Sequence, residues 1–285
     1  MSVAGELKPQ AEKPALPFWR RFLANGFRWH AMLSRPRRLT VRPAWRAPAR
    51  LALIGLLAAL AVAATMVFVD APAIVAVGRL PSWVVELFNT LTDFGTSDWF
   101  LVPIGVVLLT ITALASPAAA HLSRLVLTAF AVRLGFVFVA IALPGLFTTV
   151  IKRLIGRARP FIGGDADPFR YAPLVWRSDY ASLPSGHATN VFAALVAIGL
   201  VVPRLRAPLL IYALIIAASR VIVLAHHPSD VIAGAVVGVV GALLVRDWSA
   251  ARRLGFTIDA QGNVRALPGP SLRRLKAVAR EFLAA

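Results

Sequence analysis

Six apolar runs alternate with polar segments along this chain. The first covers about Arg50 to Val69 and is ended by Asp70 and Pro72. The second covers about Trp99 to Ala115, the third Leu122 to Val150, the fourth His187 to Val202, the fifth Ala207 to Leu224 and the sixth Ser229 to Val245. Roughly 20 apolar residues cross a bilayer core as a helix, so the pattern predicts an all-α, polytopic integral-membrane six-helix bundle. Between the first two runs, Trp83, Val84, Leu87, Phe88 and Leu91 recur at helical spacing while Glu86 and Asn89 supply a polar side. Pro81 to Phe94 is therefore predicted as a short helix lying in the interface. Pro144 predicts a kink in the third run. Gly234, Gly238 and Gly241 predict close packing of the sixth. The polar stretch from Ile151 to Ser185 is expected to form an outer loop that caps the bundle.

Composition agrees with the pattern. Hydrophobic residues make up 58% of the 285, charged residues 15%, and the mean hydropathy is +0.72, which sets a soluble globular chain aside. There is no Cys, so neither disulfides nor thiolate metal ligands arise. The formal net charge of +18 would suggest nucleic acid in a soluble protein. Here the charge concentrates in the terminal segments, 1–49 and 247–285, flanking a membrane domain of 50–246. That distribution fits positive-inside topology and anionic membrane lipids, not nucleic acid. Six spans bring both termini to one side, and their Lys/Arg content places them in the cytoplasm of the inner (plasma) membrane. Phe18 to Leu33 reads equally as an interfacial helix or a disordered basic tail. Arg133, deep in the third run, reads as a packing or snorkelling residue. The outer loop departs from the charge rule, with Lys152, Arg153, Arg157, Arg159, Arg170 and Arg177 against three Asp. A basic outer loop calls for an anionic substrate.

Three polar clusters fall at the same end of the alternating spans. Lys152 and Arg159 follow the third, Ser185, Gly186 and His187 open the fourth, and Arg220, His226 and Asp230 join the fifth to the sixth. Arg offers planar paired donors to phosphate oxygens and Lys a point charge. A Ser-Gly turn before a helix lets backbone N–H groups approach an anion. One imidazole can attack phosphorus, a second can protonate the leaving oxygen, and an Asp can fix the nucleophile's tautomer. His227 competes with His226 as nucleophile, but Pro228 restricts its backbone. Asp165, Asp167, Asp179 and Asp230 form no compact metal-ligand motif, so no metal or other cofactor is expected. Asp93-Phe94-Gly95 matches a kinase metal-binding triplet in letters only, because the other kinase motifs are lacking.

Lys152, six residues, Arg159-Pro160; Pro184-Ser185-Gly186-His187; and Ser219-Arg220, five residues, His226, three residues, Asp230 together resemble the three signature motifs of the type 2 phosphatidic-acid phosphatase superfamily. The resemblance covers about residues 50 to 246. It implies a six-helix lipid phosphatase with an outward-facing site. It implies His226 as nucleophile, Asp230 orienting it, and His187 as general acid and later base. Lys152, Arg159, Ser185, Gly186 and Arg220 would bind the phosphate. The substrate would be a lipid phosphate or diphosphate such as undecaprenyl diphosphate, phosphatidylglycerol phosphate, phosphatidic acid or a lipid A phosphate. Trp176, Arg170 and Arg177 are candidates for headgroup selection. A lipid phosphotransferase and a non-enzymatic lipid transporter are the alternatives. The intact His226, Asp230 and His187 argue against the transporter.

Overall fold

Ten helices and one hairpin account for the regular structure of the computed structural model, which describes residues 17–37, 41–115 and 120–283. Residues 1–16 of the basic N-terminal segment, together with Arg38, lie outside the described residues. In chain order the elements are α1 (Phe18–Leu33), α2 (Pro48–Phe68), α3 (Asp70–Val77), α4 (Ser82–Thr92), α5 (Asp98–Leu114), α6 (His121–Ile155), α7 (Gly186–Val201), α8 (Arg206–Ile222), α9 (Pro228–Ala251), β1 (Phe256–Ile258), β2 (Val264–Ala266) and α10 (Leu272–Leu283). Among the described residues, five apolar helical stretches are long enough to cross a bilayer: Pro48–Phe68, Ser82–Ala113, His121–Ile155, Pro203–Ile222 and Pro228–Ala251. The second of these joins α4 to α5 through a 3-10 turn at Asp93–Gly95. α7 is apolar but shorter, with 16 residues. This is an integral membrane protein built from helices, and each of the six apolar runs has become one of α2, α5, α6, α7, α8 and α9.

α7 is the centre of the bundle. It packs against α9, α6 and α8, and Ala188, Val191, Ala193, Ala194 and Ala197 are buried along it. Small residues allow that close approach. A Cβ on Gly234 would fall 2.4 Å from the Ser185 carbonyl oxygen, and one on Gly238 would fall 2.4 Å from that of Thr189. α9 therefore lies directly on the α7 backbone, the packing its glycine spacing predicts.

α6 contains Pro144, whose ring faces Gly241. It departs from expectation in extending to Ile155, so Lys152 stands in the last helical turn and not in the loop. Gly156 then ends the helix at φ 66°, and a Cβ there would meet the Ala172 carbonyl, so glycine meets both demands.

Phe18 to Leu33 is helical. α1 packs on α5, where Asn25 Nδ2 donates to Thr112 O and Ala115 O at 2.9 Å each. Beyond α9 the chain turns back as an antiparallel hairpin, Phe256 opposite Ala266. Its buried Phe256 meets Phe136 edge-on at 4.6 Å between ring centroids. Arg133 serves this segment, donating to the carbonyls of Leu267 (2.7 Å) and Pro268 (2.8 Å), a packing role.

The α7–α9 contact yields a stability prediction. Gly238→Val is expected to lower stability by about 1–3 kcal/mol through overpacking, read as a reduced thermal unfolding midpoint in detergent. Gly135 faces open space, and Gly135→Ala is expected to raise the midpoint through helix propensity, worth up to about 1 kcal/mol.

Candidate active site

Four helix ends and two connections meet at one end of the bundle. The C-terminal turns of α6 and α8 bring Lys152 and Arg220. The N-terminus of α7 brings Ser185, Gly186 and His187. The connection after α6 supplies Arg159, and the tight turn between α8 and α9 supplies His226. In that turn the Arg220 carbonyl accepts from the N–H groups of Ala225 and His226, each at 3.1 Å. Leu224 takes the left-handed conformation there, φ 54°, at a cost of about 1–2 kcal/mol for a non-glycine residue. Lys152, Arg159, Arg220, His187 and His226 come within electrostatic reach of one another, so residues about 70 apart in sequence share one pocket.

The hydrogen-bonding state of these cations is informative. Among the described residues, Arg159 Nε, Arg220 Nε and Ser185 Oγ are buried without a hydrogen-bond partner. Buried polar groups are normally satisfied, so donors left over beside one another mark a place that an oxyanion would fit. Arg220 is held by one neutral bond, Nη1 to Thr92 Oγ1 at 2.6 Å. α4 thereby reaches into the site. The Asp93–Gly95 turn after it packs on His187, where a Cβ at Gly95 would come 2.9 Å from the ring. These residues shape the wall behind His187.

Behind His226 lies a fully buried polar network. Asp230 Oδ2 accepts from the His227 N–H at 2.9 Å and from Ser182 Oγ at 2.6 Å. Its Oδ1 accepts from Arg157 Nη1 at 2.5 Å. His226 Nδ1 is 3.7 Å from Asp230 Oδ2, beyond hydrogen-bond reach, and 3.4 Å from Ser182 Oγ. The serine hydroxyl thus stands between carboxylate and imidazole. Arg157 also donates from Nη2 to Asp70 Oδ2 at 2.7 Å and from Nε to Pro168 O at 2.9 Å. Asp70 further accepts from the Ser229 N–H at 2.9 Å. Burial lowers the His226 pKa, against the opposing pull of Asp230, so the imidazole is held neutral. His227, fully buried, is the N-cap residue of α9 and lies with Nδ1 3.5 Å from Asp230 Oδ2, which accepts its backbone N–H in a capping box. Among the described residues neither of its ring nitrogens has a hydrogen-bond partner.

All eight residues singled out in the sequence lie at this end. Arg157, Asp70, Ser182, Ser229 and Thr92 were not among them. Arg157 looked like one more loop cation and Asp70 like a helix stop, and local pattern carries no sign of their burial. Ser182 stood at the edge of the second motif. Arg170 and Arg177 stay outside the pocket, paired with Asp165 and Asp179. Among the described residues no group of three or more His, Asp or Glu is arranged to hold a metal.

Comparison with known proteins identifies the family. The PAP2 superfamily profile matches residues 133–254. A lipid A 1-phosphatase of Rhizobium etli is 36% identical over 187 residues, 62% of this chain and 76% of that protein. The chain belongs to the PAP2 superfamily. A second lipid A 1-phosphatase, from Rhizobium johnstonii, is also 36% identical, over 204 residues, 71% of this chain and 82% of that protein. Among solved structures, LpxE of Aquifex aeolicus aligns with a TM-score of 0.44 at 17% identity, over 62% of this chain and 93% of its own. A PAP2-type phosphatidylglycerolphosphate phosphatase of Bacillus subtilis aligns at 0.43 and 19%, over 79% and 94%. The superfamily match begins at Arg133, so Asp70 and Thr92 reach the site from outside it.

The Thr92–Arg220 contact gives a prediction. Thr92→Val removes the hydrogen bond from Arg220 Nη1 to Thr92 Oγ1, and a bond to a charged group is worth about 1.5–3 kcal/mol. Inhibition by inorganic phosphate or vanadate is expected to weaken roughly tenfold or more, measured as the inhibition constant in detergent micelles.

Proposed function

We propose that this membrane lipid phosphatase hydrolyses the 1-phosphate of lipid A, or a similar phosphate monoester on a lipid, through a phosphohistidine intermediate. The observation that carries the reading is the convergence of Lys152, Arg159, Arg220 and the α7 N-terminus, with their unpartnered donors, on two histidines. The substrate assignment draws on the relatives named lipid A 1-phosphatase.

In this mechanism the three cations and the Ser185–Gly186 turn bind the phosphate oxygens. Their charge offsets the negative charge that builds on those oxygens in the transition state. The neutral His226 Nε2 lone pair attacks phosphorus. The bond to the lipid oxygen breaks, and that oxygen takes a proton from His187. The bound phosphate dianion itself favours the protonated form of His187 before this step. Water then attacks the phosphohistidine with His187 as base, His226 leaves neutral, and inorganic phosphate departs. The cations neutralise the phosphate directly, so the chemistry is expected to need no metal. The basic terminal segments support cytoplasmic termini and a site on the outer face of the inner membrane. Both segments also suit anionic lipid headgroups.

The test is phosphate release by detergent-purified protein from a panel of lipid phosphates that includes lipid A. Release is expected to persist in excess chelator and to vanish in His226→Ala. Transfer of the phosphoryl group to an acceptor lipid in place of phosphate release would instead identify a phosphotransferase. The lowered His226 pKa adds a pH prediction. A nucleophile is lost when protonated, so a depressed pKa moves that loss to lower pH. The acid limb of kcat/KM is expected below the ordinary histidine value of about 6.5, and an acid limb above that value would contradict a buried neutral nucleophile.

A further inference from the structure

Arg157 is fully buried and lies between two fully buried carboxylates, Asp70 and Asp230. One cation shared by two anions leaves the trio with a net charge of −1. The surplus sits beside His226, with the Ser182 hydroxyl bridging the gap: 2.6 Å to Asp230 Oδ2 and 3.4 Å to His226 Nδ1. Asp70 accepts three donors, from Arg157, the Ser229 N–H and the Ser229 hydroxyl. An amide in place of that carboxylate keeps an acceptor for the Ser229 N–H on Oδ1 but not for the Arg157 and Ser229 side chains, which both donate to Oδ2.

We propose that Asp70, Arg157 and Ser182 are positioning residues that aim and electrostatically support His226. The proposal rests on the phosphohistidine reading above. When Nε2 bonds to phosphorus its lone pair is spent and the ring, still carrying Nδ1–H, becomes cationic. The electron pair of the broken P–O bond leaves with the lipid oxygen. A positive ring in a buried site needs a nearby unbalanced anion. Were Arg157 paired with Asp230 alone, the pair would be neutral and the cationic ring would lack support. Asp70 takes half of the Arg157 charge and leaves Asp230 anionic toward His226. Ser182 carries that polarity across the 3.7 Å separation between Asp230 Oδ2 and His226 Nδ1, donating to the carboxylate and accepting from Nδ1–H. This fixes the tautomer that exposes the Nε2 lone pair.

None of the three belongs to the phosphate cradle, so they act on the chemical step and leave substrate binding alone. Asp70→Asn, Ser182→Ala and Arg157→Met are expected to lower kcat by about 10- to 100-fold, the range seen for residues that orient catalytic groups through hydrogen bonds. KM and inhibition by inorganic phosphate should stay unchanged, since both report on Lys152, Arg159 and Arg220. Arg157→Lys keeps a cation between the carboxylates and should recover part of the loss. Single-turnover trapping of acid-labile phosphoenzyme should show slower formation in each variant. Detergent melting curves identify any variant that fails to fold, and Ser182→Ala, which removes one oxygen atom, keeps the test open if Arg157→Met does not fold. Folded Asp70→Asn and Ser182→Ala variants with wild-type kcat would overturn the positioning role while leaving the proposed function intact. A rise in KM with unchanged kcat would overturn it too, and would place these residues in substrate binding. Wild-type activity that survives His226→Ala would overturn the phosphohistidine reading, and this inference with it.

Discussion

A guanidinium buried between two carboxylates is the interaction on which the active end of this protein depends. Taking one charge out of water costs several kcal/mol, and the cost is recovered only when the partner geometry and the remaining hydrogen bonds are complete. Arg157 meets that condition through Asp70, Asp230, Ser229 and the Pro168 carbonyl. These partners come from α3, α9 and the connection after α6. Satisfying one side chain therefore ties the start of the outer loop to both ends of the sequence that builds the site. The Ser182 N–H donates to the Arg157 carbonyl at 3.1 Å, so the backbone around Arg157 also sets where the His187 motif begins.

The same accounting sorts the other cations. Arg157, Arg170 and Arg177 have carboxylate partners. Lys152, Arg159 and Arg220 have none within 4 Å among the described residues, though they crowd together. Like charges held close without counter-ions raise the energy of the free protein, and a bound anion relieves it. That is the signature of a binding site, as opposed to a structural ion-pair network. On the proposed mechanism, the substrate's phosphate becomes the missing partner, and the repulsion it relieves favours binding.

Much of this was legible in the sequence, and the parts that were not share a cause. Apolar run length located the spanning helices, and the glycine spacing in α9 marked it for close helix packing, because both rest on local periodicity. The motif residues were legible because their chemistry is specific in combination. Asp70 and Arg157 were not, since their meaning lies in burial and in each other, 87 residues apart. Thr92 is an ordinary helix residue until α4 docks on α8. The hairpin at Phe256–Ala266 was hidden in a basic stretch read as a tail. Its strands are three residues each, too short for alternation to stand out, and only the packing of Phe256 on Phe136 gives them purpose.

How the protein tolerates three uncompensated cations follows from where they sit. Lys152 and Arg220 occupy the last turns of α6 and α8, where the free carbonyl ends carry partial negative charge. The helix C-termini thus stand in for carboxylates without competing for the phosphate, since a backbone dipole cannot swing in to form an ion pair. The N-termini of α7 and α9 arrive from the opposite chain direction and carry partial positive charge. α9 spends its own on Asp230, which caps it through the His227 N–H. α7 keeps its N-terminus, at Ser185 and Gly186, for the ligand. Alternating helix direction, the simplest consequence of crossing a membrane repeatedly, therefore gives one end of the bundle both kinds of helix terminus. On the proposed mechanism, carbonyl ends steady the cations, one amide end anchors the carboxylate behind His226, and the other remains for the phosphate.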